Sequence, residues 1–352
     1  MVVRDFHALR VAAIERLCDD AVAVTFEVPD DLAAIYAFRA GQSLTVRRPA
    51  DPDDERRSYS ICAPVGDRPR IGVREVPGGI VSAWLVRGLR VGDAVEVAPP
   101  SGSFTPDLDA GGRHVMIAAG SGITPVLSIA TSLLRTPGAQ VSILYGNRRA
   151  DTVMFAEELA DLKDTHPSRL ELVHLLSREA REVDLLSGRL DADKLRTLLP
   201  MLIDVAAVDH WWLCGPFGMV TDAIEVLQER GVPAGRIHRE LFWVDEVPPE
   251  PRREDRGIEG PSSEVTVVLD GRATTVTVAE GDTVLEGAQR VRPDLPFACK
   301  GGVCGTCRAR VTDGEVTMRR NFALEPAELA AGFVLTCQSH PASPKVAVTF
   351  DD

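Results

Sequence analysis

Cys299, Cys304 and Cys307 stand in C-x4-C-x2-C order near the end of the chain, and a fourth cysteine, Cys337, follows. This spacing constrains the fold more than any other feature. The chain must carry four thiols to one place while remaining irregular across the first three. Four thiolates at this spacing are suited to a [2Fe–2S] cluster. Gly301, Gly302 and Gly305 fit between the ligands, because a loop wrapped on a cluster needs positive φ angles and amides close to sulfur. A four-cysteine zinc site has the same ligand count, but it ordinarily pairs C-x2-C with C-x2-C. Disulfides call for secretion, and Met1-Val2-Val3-Arg4-Asp5-Phe6 has no apolar signal core. The other three of the seven cysteines, Cys18, Cys62 and Cys214, then read as thiols, a usage that fits a reducing cytoplasm.

The 352 residues are enough for two or three domains, each with its own core. A net charge of −13, with basic residues scattered, argues against a general nucleic-acid binder. No stretch nears the ~20 apolar residues that span a bilayer, so no membrane insertion is expected.

Residues 1–110 read as short alternating strands, at 7–14, 21–28, 43–46, 70–74 and 94–97, with one short helix near residues 81–85. Such a series predicts a small antiparallel β-barrel. The texture changes over residues 111–245. Continuous apolar runs, His114-Val115-Met116-Ile117-Ala118-Ala119 first among them, alternate with helical segments. That pattern predicts an α/β domain on a parallel sheet. A Pro- and charge-rich stretch at 246–263 reads as a linker. Residues 264–352 then give an α+β domain that carries the cysteines.

Gly120-Ser121-Gly122-Ile123-Thr124-Pro125 lies between a buried strand and a predicted helix, where exposed amides can receive a pyrophosphate. A plain tight turn would look similar. Cys214-Gly215-Pro216 ends a later strand of the same sheet and is expected beside it, since ligands bind outside the carboxyl ends of parallel strands. In the barrel, Arg57 can clamp a phosphate, Tyr59 can stack on a flat ring and Ser60 can hydrogen-bond to it. Gly78-Gly79-Ile80-Val81-Ser82 offers a second phosphate-ready turn. Each barrel feature alone reads as a surface turn. Together, between a dinucleotide domain and a cluster domain, they point to a flavin.

These motifs resemble those of the ferredoxin–NADP reductase superfamily, in the branch with a plant-type ferredoxin fused at the C-terminus. Arg57-Ser58-Tyr59-Ser60 matches its R-x-Y-[ST] motif, Gly120 to Pro125 its G-x-G-x-[TS]-P motif, and Cys214-Gly215-Pro216 its C-G-P motif. Within the branch the likeness is to the reductase components of phenylacetyl-CoA epoxidase systems. It extends through Tyr145-Gly146-Asn147-Arg148, the cysteine loop and Leu324-Glu325-Pro326-Ala327-Glu328.

The resemblance implies FAD held by Arg57, Ser58, Tyr59, Ser60, Gly79 and Ser82. It implies a pyridine nucleotide on Gly120, Gly122, Thr124 and Gly215, with Asn147, Arg148, Ser177 and Arg178 at a 2′-phosphate, hence NADPH, with NADH as the alternative. Ser60, Thr124 and Cys214 are the implied catalytic residues, Glu240 and Phe242 resemble the segment that ends the nucleotide domain, and Cys299, Cys304, Cys307 and Cys337 are the cluster ligands. The implied activity is an NAD(P)H-dependent oxidoreductase feeding the oxygenase component of a multicomponent monooxygenase, with di-iron chemistry on phenylacetyl-CoA. Two other readings stay open: the reductase of another ring-hydroxylating dioxygenase or hydroxylase, and a non-catalytic zinc-holding or redox-sensing protein.

Overall fold

The computed structural model describes residues 6–49, 54–242, 261–324 and 326–351. It divides into two compact units, residues 1–50 with 58–242 and residues 51–57 with 243–352. Of the linker expected at 246–263, residues 246–260 lie outside the described residues. Ser262 and Ser263 already belong to a strand.

Six strands build the first layer: β1 (His7–Cys18), β2 (Ala21–Glu27), β3 (Ser43–Arg47), β4 (Arg56–Ser60), β5 (Arg70–Arg74) and β6 (Ala94–Val97). Their order is β4-β3-β6-β1-β2-β5, and the antiparallel Ile61–Ile71 bridge brings the two edges together into the expected barrel. Leu9, Val11, Val24, Phe26, Leu44 and Ile71 point inward and are fully buried. β4 is missing from the strands expected from the sequence, because Arg56 and Arg57 hide its alternation. The helix expected near residue 81 is α1 (Ile80–Ala83), which runs on into a π turn over Trp84–Gly88.

The parallel sheet follows, with β7 (Gly112–Ala119), β8 (Ala139–Asn147), β9 (Leu170–Leu176), β10 (His210–Gly215) and β11 (Ile237–Leu241) in the order β11-β10-β7-β8-β9. β7 is central and Val115, Met116, Ile117 and Ala118 are wholly buried, as a strand covered on both faces must be. Helices α2 (Ile123–Arg135), α3 (Ala156–Thr165), α4 (Ala192–Leu202) and α5 (Phe217–Glu229) cover the sheet. The sequence pattern did not disclose α4, which holds Pro200, or β11, a sheet-edge strand whose His238-Arg239-Glu240 lacks an apolar run.

In the second unit β12 (Ser262–Leu269), β13 (Arg272–Ala279), β14 (Arg308–Asp313), β16 (Phe333–Leu335) and β18 (Lys345–Thr349) form a mixed sheet, ordered β13-β12-β18-β14-β16. β15 (Val316–Met318) pairs with β17 (Ser339–Pro341). Helix α6 (Val284–Gln289) starts on a capping box, with Thr283 and Glu286 each bonding the other's backbone amide. A short α7 (Pro326–Ala330) precedes β16. No helix among the described residues is long and apolar enough to cross a membrane.

The amino end of the parallel sheet carries an aromatic cluster. His114 stacks on His210 at 5.3 Å, and Trp212 stacks on His238 at 4.2 Å. Trp212 Nε1 donates to His114 Nδ1 at 3.2 Å, so the imidazole proton of His114 sits on Nε2, which donates to the Gly111 carbonyl. Burial, then His210 and His114, push the His238 imidazole down to about 4. An unfolded chain takes up that proton near pH 6.5, so the fold loses stability as pH falls from 6.5 toward 4. With partial exposure allowed for, the loss is about 2 kcal/mol. His238→Phe keeps the stack on Trp212 and should flatten the fall in thermal midpoint across this window; an unchanged slope would show that His238 does not carry it.

Candidate active site

Two glycine turns meet at the carboxyl ends of β7 and β10. Gly120 takes φ +57 and opens a 3-10 turn, Gly120–Gly122, that leads into α2. A Cβ on Gly122 would fall 2.1 Å from the carbonyl oxygen of Cys214 and 2.9 Å from the Gly215 amide, closer than any side chain tolerates. Gly215 has Met219 and Ala119 against it in the same way. The two nucleotide motifs are therefore neighbours, as their place in the sheet predicted. Tyr145 OH donates to the Gly120 carbonyl at 3.0 Å and pins the left-handed residue; burial pushes that phenol up to about 12.

Thr124 is buried, and its Oγ1 donates to the Ser121 carbonyl at 2.9 Å, bracing the turn. Its Cγ2 lies so close to Gly72 of β5 that a Cβ there would approach to 2.4 Å. Barrel and sheet thus touch at the helix entrance. Arg74, which no motif singled out, follows on β5 and sets Nη1 3.6 Å from the position a Gly120 Cβ would take. Only its neighbourhood in space reveals it.

Ser60, buried at the end of β4, donates from Oγ to Glu240 Oε2 at 3.2 Å. Glu240 on β11 pairs in register with Cys214 on β10. A serine of the flavin motif, a carboxyl and the thiol of the C-G-P motif so form one cluster. Burial raises Glu240 to about 7, against the pull of the Ser60 hydrogen bond. Burial, then the Glu240 charge, raises the Cys214 thiol well above its usual value. Cys214 is therefore a neutral thiol with no exposed surface. Phe242, just beyond β11, packs on the core of the parallel sheet.

The other expected residues are distributed as follows. Ser58 shares a 2.9 Å hydrogen bond with Thr45, and Tyr59 packs against the barrel core. Arg57 pairs with Glu55 at 2.7 Å. Ser82 accepts from the Val76 amide and donates to the Gly79 carbonyl, so its hydroxyl braces the Gly78–Gly79 turn. Asn147 ends β8 with only 7% of its surface exposed, and its Nδ2 lacks a hydrogen-bond partner. The Ser177 and Arg178 amides donate to the Asn147 and Arg148 carbonyls at 2.8 Å, which brings all four residues together. Arg148 and Arg178 are exposed.

The four cysteines gather in the second unit as two pairs. Cys299 shares a hydrogen bond with Cys304, and Cys307 with Cys337. Cys337 also feels the charges of Cys299 and Cys304, so all four thiols share one neighbourhood, as the four ligands of a two-iron cluster must. The Cys304 hydrogen bond, set against burial and joined by backbone amides, lowers Cys299 to about 6. Lys300, Gly302 and Gly305 adopt positive φ. Gly301, expected to do so, does not; its amide instead donates to Cys299 Sγ at 3.3 Å. Gln338 Nε2 lies 3.7 Å from Cys337 Sγ and donates to the Lys300 carbonyl.

The donor sets fit the three groups. Paired thiols fit a two-iron cluster, the unsatisfied Asn147 amide and the crowded glycine turns fit a nucleotide, and the Ser60–Glu240 pair fits the polar edge of a flavin.

Profiles of known domains cover the chain in the same order. An oxidoreductase FAD-binding domain matches residues 8–105, an oxidoreductase NAD-binding domain 116–225, and a 2Fe-2S iron-sulfur cluster binding domain 267–342. The chain is 42% identical to one of the subunits of the 1,2-phenylacetyl-CoA epoxidase of Escherichia coli (strain K12), across 98% of both chains. The chain belongs to the ferredoxin–NADP reductase superfamily. It is an oxidoreductase of the branch with a C-terminal [2Fe–2S] ferredoxin domain. It is also 33% identical to the ferredoxin reductase component of 3-ketosteroid-9-alpha-monooxygenase from Rhodococcus rhodochrous, over 97% of this chain and 96% of that one. The structure of phthalate dioxygenase reductase shares the fold, at a TM-score of 0.60 and 23% identity over 98% of both chains.

A flavin held along Ser60 would gain negative charge on reduction, and an ionised Glu240 next to Ser60 would oppose it. Reduction of bound flavin by pyridine nucleotide should therefore slow several-fold as pH rises through about 7. Glu240→Gln should hold the low-pH rate across that range in stopped-flow measurements. An inflection that survives the substitution would assign it to another group.

Proposed function

We propose that this chain is the NADPH-oxidising reductase of a cytoplasmic multicomponent oxygenase, and that its acceptor is a di-iron oxygenase acting on phenylacetyl-CoA. The observation that carries the redox part is the Ser60–Glu240 hydrogen bond, which joins the flavin motif to the strand beside Cys214. The acceptor rests on the 42% identity to the epoxidase relative, against 33% for the ketosteroid one.

Bound FAD and [2Fe–2S] supply the chemistry, which is to take a hydride and release its electrons singly. The chain's own residues position and exclude. Arg57 would hold the flavin pyrophosphate, with Ser58, Tyr59 and Ser60 along the ring. The Gly79 turn, held by Ser82, would line the phosphate side. Gly122 and Gly215 let the two turns nest, the Gly120 turn would receive the nucleotide backbone, and Thr124 would sit where nicotinamide meets flavin. The buried, neutral Cys214 thiol would keep the floor of the site free of charge and water. Cys299, Cys304, Cys307 and Cys337 would ligate the cluster.

The preference for NADPH is supported by Asn147, Arg148, Ser177 and Arg178 lying together, with an unsatisfied amide and two exposed guanidiniums and no carboxylate at position 147. Arg148→Ala with Arg178→Ala should raise KM for NADPH about ten-fold, which is about 1.4 kcal/mol, and leave NADH nearly unchanged. Equal loss with both nucleotides would remove the 2′-phosphate assignment. For the acceptor, nucleotide-dependent turnover with purified oxygenase components decides. Epoxidation of phenylacetyl-CoA supports the reading, and turnover only with a steroid hydroxylase would replace it.

A further inference from the structure

Gln338 follows the last of the four paired cysteines, in the bend between β16 and β17. Its backbone is fixed on both sides. The amide donates to the Leu335 carbonyl at 2.9 Å, and the carbonyl accepts from the Arg319 amide at 2.8 Å. The side chain is turned inward, and only 6% of the residue is exposed. Nε2 faces the Lys300 carbonyl at 2.8 Å, the Cys337 carbonyl at 2.9 Å and Cys337 Sγ at 3.7 Å. Two of these partners are carbonyl oxygens, which can only accept, so the nitrogen and not the oxygen of the amide must point at them. Its two N–H bonds thus serve three acceptors, two of them on Cys337.

The same side chain meets the cysteine loop a second time. A Cβ on Gly302 would lie 3.1 Å from Gln338 Cγ and 3.6 Å from Cδ, so the bare glycine at φ +80 gives Gln338 its room. Lys300 holds φ +51, a conformation that a residue with a side chain seldom adopts, and the hydrogen bond to its carbonyl helps to keep it there. Gln338 therefore ties the loop of Cys299 and Cys304 to the bend of Cys337. The cysteine spacing gives no hint of this residue.

We propose that Gln338 is a positioning residue that raises the reduction potential of the [2Fe–2S] cluster, by donating a hydrogen bond to the sulfur of Cys337 while it holds the Lys300 turn. The inference rests on the reading of Cys299, Cys304, Cys307 and Cys337 as the cluster ligands. Reduction brings one electron from the flavin and adds one negative charge, part of which falls on the ligand sulfurs. An N–H aimed at one of those sulfurs stabilises the reduced form more than the oxidised one. Burial strengthens the effect, because no water competes for the same sulfur.

The test is an anaerobic redox titration of the full-length holoprotein, with the cluster followed by low-temperature electron paramagnetic resonance. Gln338→Met keeps a side chain of similar length and removes the donor. It should shift the one-electron equilibrium about ten-fold toward the oxidised cluster, a fall of about 59 mV in midpoint potential. Gln338→Glu keeps the shape, puts an acceptor where the donor was, and should lower the potential at least as far. The flavin midpoint should stay in place in both. Hydrogen exchange supplies a second readout. The Phe322 amide, bonded to the Gly302 carbonyl at 3.1 Å, should exchange faster in Gln338→Met as the loop loosens. A cluster potential that falls in neither variant overturns the assignment. Loss of iron from both variants would overturn it as well, by making Gln338 a residue that retains the cluster and does not set its potential. A wild-type protein that binds no iron–sulfur cluster would instead reject the ligand reading beneath it.

Discussion

The contact between Gly122 and the Cys214 carbonyl is the constraint on which the nucleotide end of this protein depends. With 2.1 Å between that oxygen and the place a Cβ would take, only glycine lets the turn after β7 nest against the end of β10. Once those turns are nested, strand register does the rest. Cys214 lies opposite Glu240, Glu240 takes the Ser60 hydrogen bond, and Ser60 belongs to the barrel. Three segments far apart in sequence become one site because one position has no side chain.

The chemistry of that site follows from exclusion of water. Glu240 is raised to about 7 and Cys214 is held as a thiol for the same reason, burial of the charged form. A site that suppresses its own fixed charge is suited to receive charge from a substrate. In the second unit Cys299 alone shows the contrasting case, while Cys304 and Cys337 are raised well above the usual thiol value by the hydrogen bonds of their partner thiols and by burial. Backbone amides and a neighbouring thiol lower Cys299 to about 6, and the loop keeps three residues at positive φ to aim those amides.

Much of this was legible in the sequence because the relevant signals are local. Alternation gave the barrel strands, continuous apolar runs gave β7 and β8, and the cysteine spacing gave the cluster. Elements without a local signal stayed hidden. β11 has one buried residue, Leu241, so its polar run gives no strand period, although it carries Glu240. β4 is obscured by two arginines, and α4 by Pro200 in its last turns. Tyr145 had no assigned role because it bonds Gly120 across the fold, and Arg74 because only the fold brings it near that turn. Gly301 looked like a φ-positive glycine, yet Lys300 takes that conformation, and the sequence alone cannot say which of two neighbours bears the turn.

The central claim is that this chain carries electrons from a pyridine nucleotide to a [2Fe–2S] cluster held by its own paired thiolates. Anaerobic titration of the purified holoprotein with NADPH, followed by visible absorption and low-temperature electron paramagnetic resonance, tests it most directly. The account predicts that nucleotide alone bleaches the flavin and produces the paramagnetic signal of a reduced [2Fe–2S] cluster. Flavin bleaching with no cluster signal, or a colourless protein with stoichiometric zinc, would contradict it.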